Sequence, residues 1–325
     1  MITKKYIFML ILLVVVGSMQ EKFKGITQTD DETRHYELVK TYLLNDVSLE
    51  RCKLPILWIH VENEMNARWW KSFGSRNTKC LNQPYQYLTI KSIVDKCGEH
   101  FNICLIDDKS FEKLIPDWKT NMSILSSPIK EKMREIGLAR ILYMFGGMLV
   151  PSTFICFRDL YPIYQGGVVD NQMFVGEFVD RNITSEHREA YPNTRLMGCT
   201  INNQTMFMYI KFLQNMISND YTDESVFLGS KDKWCLEQAH KNIIKIIKSE
   251  MLGARDINRN IITIDDLIGN SFIEILSSAA GVYIPQSEIL KRTAYQWFAR
   301  MNARQILDSD TMIGKLLLIN CNISS

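Results

Sequence analysis

The stretch EIGLARILYMFGGMLVPST, residues 135–153, decides how the chain is read. Upstream of its two glycines, Met133, Ile136, Leu138, Ile141, Leu142 and Phe145 recur at helical spacing, so a helix is predicted from Pro128 to Phe145. Gly146 and Gly147 end it, as glycine does at helix C-termini. Met148, Leu149 and Val150 then form a short apolar strand that Pro151 breaks. The glycines close a helix instead of opening one, so they are not a phosphate-cradling Gly-x-Gly-x-x-Gly loop.

Working outward, Leu54–Val61 (LPILWIHV) and Phe101–Ile106 (FNICLI) are uninterrupted apolar runs of strand length. Between them, Tyr87–Lys96 carries apolar residues at helical spacing. Asp107-Asp108 follows the second run, and Ser110 opens the next helix as a cap. Strand, helix, strand at this rhythm predicts a parallel sheet with crossover helices. Downstream, Phe154–Phe157 and Asn171–Val179 read as extended, and Thr205–Met216 and Lys233–Met251 as helices. Thr263–Ile268 and Gly281–Pro285 bracket a helix through Ile275, and Arg292–Leu307 is one aromatic-rich helix. The class is therefore α/β, a mostly parallel sheet flanked by helices.

The 325 residues suffice for one large α/β domain. Hydrophobic residues at 46% and charged residues at 23% can build a sizeable core and exclude wholesale disorder. A net charge of +2 gives no basis for a nucleic-acid partner. Five histidines and eight cysteines show neither His-x-x-x-His nor Cys-x-x-Cys spacing, so a zinc ribbon and a thioredoxin-like motif are not supported. The cysteines read as buried thiols, with one or two disulfides if the domain faces an oxidising lumen.

Lys4 and Lys5 precede an apolar run from Tyr6 to Gly17. Two readings compete for residues 1–19: an uncleaved signal anchor, or a signal peptide cut near Gly17. The anchor makes this a single-pass membrane protein with its domain lumenal or exterior. Sequons at Asn121, Asn182, Asn203 and Asn322 would permit glycosylation there. Residues 20–50 are polar and read as a tether, and 51–320 as the folded domain.

The 135–153 stretch resembles glycosyltransferases with an Asp-x-Asp sugar-binding region, the capsular-polysaccharide-synthesis-like group. There, a helix written Asp-x-x-Arg-x-x-x-Leu runs into Tyr-Gly-Gly-Ile-Tyr-Leu-Asp-x-Asp. The helix, the paired glycines and the strand match, and the likeness extends over roughly residues 54–160. It implies a nucleotide-diphosphosugar transferase (GT-A) fold, and a nucleotide sugar as partner. The family's Asp falls on Glu135 and its Arg on Leu138, while its two metal aspartates fall on Pro151 and Thr153, with Ser152 between them. A hard Mg²⁺ or Mn²⁺ ion prefers carboxylate oxygens, so no metal is expected here unless other carboxylates compensate. The signal anchor followed by Gly-Gly-Met-x-Val-Pro is also similar to uncharacterised membrane proteins of large DNA viruses. Two functions from different classes follow: a glycosyltransferase-like protein, weak or inactive, or a non-catalytic structural or interaction protein of a viral or cellular membrane.

The substrate-binding candidates are Trp58, His60, Asp107, Asp108, Gly146, Gly147, Ser152 and Thr153. Trp58 and His60 could flank a base, or simply pack in the core. Asp107 and Asp108 stand where open α/β sheets place ligands, or cap a helix. Arg140, Arg158 and Lys109 are the basic residues that could offset a diphosphate in place of a metal.

Overall fold

The computed structural model describes residues 38–45, 53–62, 83–179, 190–219, 224–291 and 293–323. The apolar run at 6–17 lies outside them, as do Asn182 and the side chain of Asn322. Among the described residues no helix is long and apolar enough to cross a membrane.

Among the described residues eight strands are formed: β1 (Ile56–His60), β2 (Asn102–Ile106), β3 (Gly147–Pro151), β4 (Phe154–Cys156), β5 (Met173–Val179), β6 (Ala190–Cys199), β7 (Ile244–Ile247) and β8 (Gly281–Tyr283). Around them lie α1 (Tyr85–Cys97), α2 (Ser110–Leu114), α3 (Ile129–Phe145), α4 (Tyr161–Gly167), α5 (Gln204–Asn219) and α6 (Glu224–His240). There follow α7 (Ile264–Ile268), α8 (Gln286–Lys291), α9 (Gln296–Arg300), α10 (Ala303–Leu307) and α11 (Met312–Ile323). The main sheet has the order β2-β1-β3-β6-β5-β7, and β4 pairs with β8 in a second, two-stranded sheet. β1 runs parallel to both β2 and β3, and β5 parallel to β7; β6 alone runs against its neighbours. The three apolar runs singled out in the sequence are thus adjacent parallel strands of one mostly parallel sheet.

Alternation along β1 shows why both faces of that sheet are covered. Trp58 points to one face, with Cys104, Ile106 and Leu149, under Ile136, Ala139, Leu142 and Phe145 of α3. Leu57 and Ile59 point to the other, with Ile103, Met148 and Val150, under Ile90 and Ile93 of α1. A third cluster joins Tyr85 of α1 to β8 and the C-terminal helices through Val282, Phe298, Ile313 and Leu317.

Several boundaries differ from the sequence expectation. β6 carries polar Asn193, Thr194 and Arg195 and was not anticipated. The helix expected to reach Met251 stops at His240, because Asn242 takes a left-handed turn (φ +57°) and the β-branched residues after it form β7. The helix expected through Ile275 lies instead in its N-terminal bracket: Thr263 and Asp266 form a capping box that starts α7 at Ile264, and Ile275 makes an isolated bridge to Asp256. The single helix expected over 292–307 is broken into a 3₁₀ turn, α9 and α10, the last capped by Asn302 and Gln305. Of the sequons, Asn121 is exposed, whereas Asn203 is buried, its amide held by the Asn171 carbonyl. A glycan on Asn203 is incompatible with this packing.

Candidate functional site

From β1 the chain passes to β2 on one side and later to β3 on the other, so the strand order switches direction at β1. Open α/β sheets bind ligands at such a point, beyond the C-terminal strand ends. The residues there are His60 and Glu62 after β1, Asp107 and Asp108 after β2, and Pro151, Ser152 and Thr153 after β3.

The two aspartates do different things. Asp107 Oδ1 accepts from the backbone N–H groups of Lys109 and Ser110 (3.1 and 3.0 Å) and from Ser110 Oγ (2.8 Å), which closes the turn leading into α2; Ser110, expected as the cap, is the first residue of that helix. Asp108 turns the other way and receives a two-pronged contact from Arg134 of α3, with Nε at 2.7 Å and Nη2 at 2.8 Å. His60 Nε2 lies 2.9 Å from Asp108 Oδ1, and its ring stacks on Phe111. Arg134 also reaches Glu62 at 3.0 Å, and Lys130, one helical turn back on α3, lies 3.9 Å from Asp108. The cluster is largely sequestered: side-chain exposure is 7% for His60 and Arg134 and 16% for Asp108. Burial alone would raise the Asp108 carboxyl, but the hydrogen bonds and charges of Arg134 and His60 outweigh it and hold it well below the usual carboxylate range.

Trp58 is fully buried. Its Nε1 donates to the Gly146 carbonyl (2.9 Å) and its ring meets Phe145 edge-on. Gly146 and Gly147 have φ of +66° and +95°, and a Cβ on Gly147 would stand 2.0 Å from the Ile56 carbonyl oxygen. The pair therefore lets the helix end against β1 with no side chain between.

Ser152 and Thr153 are 4% and 1% exposed. Ser152 Oγ donates to Gln86 (3.2 Å), and its carbonyl accepts from Thr89 Oγ, both on α1. Thr153 Oγ1 donates to the Ile284 carbonyl (2.7 Å), while the Ile284 N–H returns a bond to the Thr153 carbonyl (3.1 Å). Both side chains are thus engaged between α1 and the chain leaving β8. Among the described residues no three histidines, cysteines or carboxylates gather as a set able to hold a metal ion. Serine and threonine hydroxyls already spent on protein partners do not fit a hard dication.

A carboxylate at position 153 would face the Ile284 carbonyl with little water. Thr153→Asp is therefore expected to cost roughly 2–3 kcal/mol, read as a fall in the urea midpoint, rather than to rebuild a metal site.

No family model matches the chain, and no curated protein matches it. Among solved structures, a galactosyltransferase, LgtC, in complex with donor and acceptor sugar analogues, is similar over 70% of this chain and 86% of that one, with 11% identity and a TM-score of 0.34.

Of the basic residues singled out in the sequence, two have partners away from these strand ends and Lys109 stands next to Asp108. Arg140 donates to the Pro116 carbonyl and sits over Trp118, Arg158 bonds the Ser277 carbonyl, and Lys109 is exposed. Arg134 and Lys130, which do meet Asp108, were not anticipated. Their i, i+4 spacing marks one face of α3, but nothing in the sequence said that this face meets the end of β2.

Glu135, at the position of the family's aspartate, is in a different network. It pairs with Lys231 of α6 at 3.0 Å and accepts from Thr194 and from Tyr209 (2.8 Å). Burial would raise its carboxyl, and the Lys231 charge with these hydroxyls brings it below its ordinary value.

Proposed function

We propose that this chain is a glycosyltransferase-like protein in which the metal-bearing turn has become part of the framework, so that any nucleotide sugar is held without a divalent cation and transfer is weak or absent. One observation carries the reading: the segment 151–153, where the resembled family bears its two metal aspartates, emerges at the C-terminal strand ends beside His60, yet the side chains of Ser152 and Thr153 are bonded inward to Gln86 and Ile284. The position supports the family kinship, because the Gly146-Gly147 turn feeds β3 in beside β1 as that motif requires. The bonding supports the loss of the metal, since two carboxylates that would attract a dication and a diphosphate together are replaced by groups with no charge to offer.

Calorimetric titration of the full chain with uridine and guanosine diphosphate sugars, with and without Mn²⁺, tests this. Weak binding that Mn²⁺ leaves unchanged is the expected result. Micromolar binding strengthened tenfold or more by Mn²⁺ would show that other carboxylates hold the ion and would overturn the reading. Absence of binding across the whole panel would remove the nucleotide sugar from it.

A further inference from the structure

Cys97 is the last residue of α1 and Cys156 the last of β4. Both are fully buried, and their sulfurs lie 3.7 Å apart. The approach follows from how α1 is laid along residues 152–156. Gln86 and Thr89 hold Ser152, and Ser92 Oγ accepts from the Cys156 N–H (2.9 Å). These contacts recur every three residues along α1, and Cys97, five residues beyond Ser92 at the helix end, meets Cys156 itself. On the far side, Asn320 of α11 donates to the Cys156 carbonyl at 2.8 Å. With the backbone held on both flanks, the sulfurs need only close from 3.7 Å to the ~2.05 Å of a covalent bond.

We propose that Cys97 and Cys156 are a convertible pair, forming a disulfide that fastens α1 to β4 when the chain folds in an oxidising medium. The oxidant is a small-molecule disulfide such as oxidised glutathione. One protein thiolate attacks it and releases a glutathione thiol. The second protein thiolate then attacks the mixed disulfide and releases the other. The two protein thiols lose two electrons and two protons, and one glutathione disulfide becomes two thiols. Burial pushes the Cys156 thiol well above its ordinary value, so the thiolate is scarce once the fold has closed and the bond forms during folding. In the reduced form the Cys156 thiol also donates to the Arg158 carbonyl at 3.0 Å, a bond that oxidation gives up.

The full chain is refolded in a glutathione buffer rich in the oxidised form, alkylated under denaturing conditions and digested without reductant. A cross-linked Cys97–Cys156 peptide is expected. The oxidised protein should also melt roughly 5–10 °C above the same sample treated with dithiothreitol, because the bond closes a long loop. Cys97→Ser and Cys156→Ser should each abolish that difference. Full alkylation of both cysteines after oxidative refolding, or their pairing with other cysteines instead, would overturn the proposal. Should a serine variant fail to fold, the peptide map of the natural chain still decides.

Discussion

Gly147→Ala is expected to destabilise the protein by roughly 4 kcal/mol or more, enough to deplete the soluble folded form. Two independent causes act together. The backbone there has φ +95°, which an L side chain rarely adopts, and the added methyl would meet the Ile56 carbonyl oxygen at 2.0 Å. That oxygen belongs to a central strand that cannot retreat, since β1 is paired on both sides. Gly166→Ala, in α4, is the control: nothing lies within 4 Å of the added atom, and stability should hold or rise slightly. Urea denaturation of both variants gives the comparison. Near-equal midpoints would mean that the paired glycines do not close the helix against β1 as described.

Asp108→Ala should cost about 3 kcal/mol at neutral pH, because it removes the two-pronged partner of an arginine that is 7% exposed and leaves Glu62 as that side chain's remaining carboxylate contact in the cluster. The pH dependence gives a sharper check. The folded-state carboxyl lies below its unfolded value of about 3.9. Its contribution is therefore fully present above that value and drains away as pH falls beneath it. The stability gap between the natural protein and Asp108→Asn should be open at pH 7 and narrow steadily from about pH 5 toward pH 2. A gap that stays constant over that range would show that the ion pair is not its source.

The parallel half of the sheet was legible because its strands are covered on both faces and so read as unbroken apolar runs. β1, β2 and β3 are all of that kind. β6 escaped notice because it holds Asn193, Thr194 and Arg195 in the middle of a strand, where Thr194 serves the Glu135 and Lys231 pair. β7 was hidden by its neighbours: an isoleucine-rich run directly after a long helix has no periodicity of its own that separates it. At the candidate site, the types of residue were readable and their partners were not. Asp107 and Asp108 are adjacent and chemically identical, and the fold sends one to the turn before α2 and the other to Arg134. The turn signal, an aspartate three residues before a serine, separates Asp107 from Asp108 in the sequence.

The cluster at the strand ends also has a consequence for encounter rates. Lys130 and Arg134 bring two positive charges to this cluster, and Asp108 and Glu62 two negative ones. Together they cast almost no net field beyond their own contacts. A crevice that captures a diphosphate by long-range attraction needs an excess of positive charge focused at its mouth. These four side chains supply none, so they add little salt dependence to the arrival of an anionic molecule. Any long-range attraction of an anion to this edge would have to come from charges outside these four, and within the cluster shape and short-range hydrogen bonding decide.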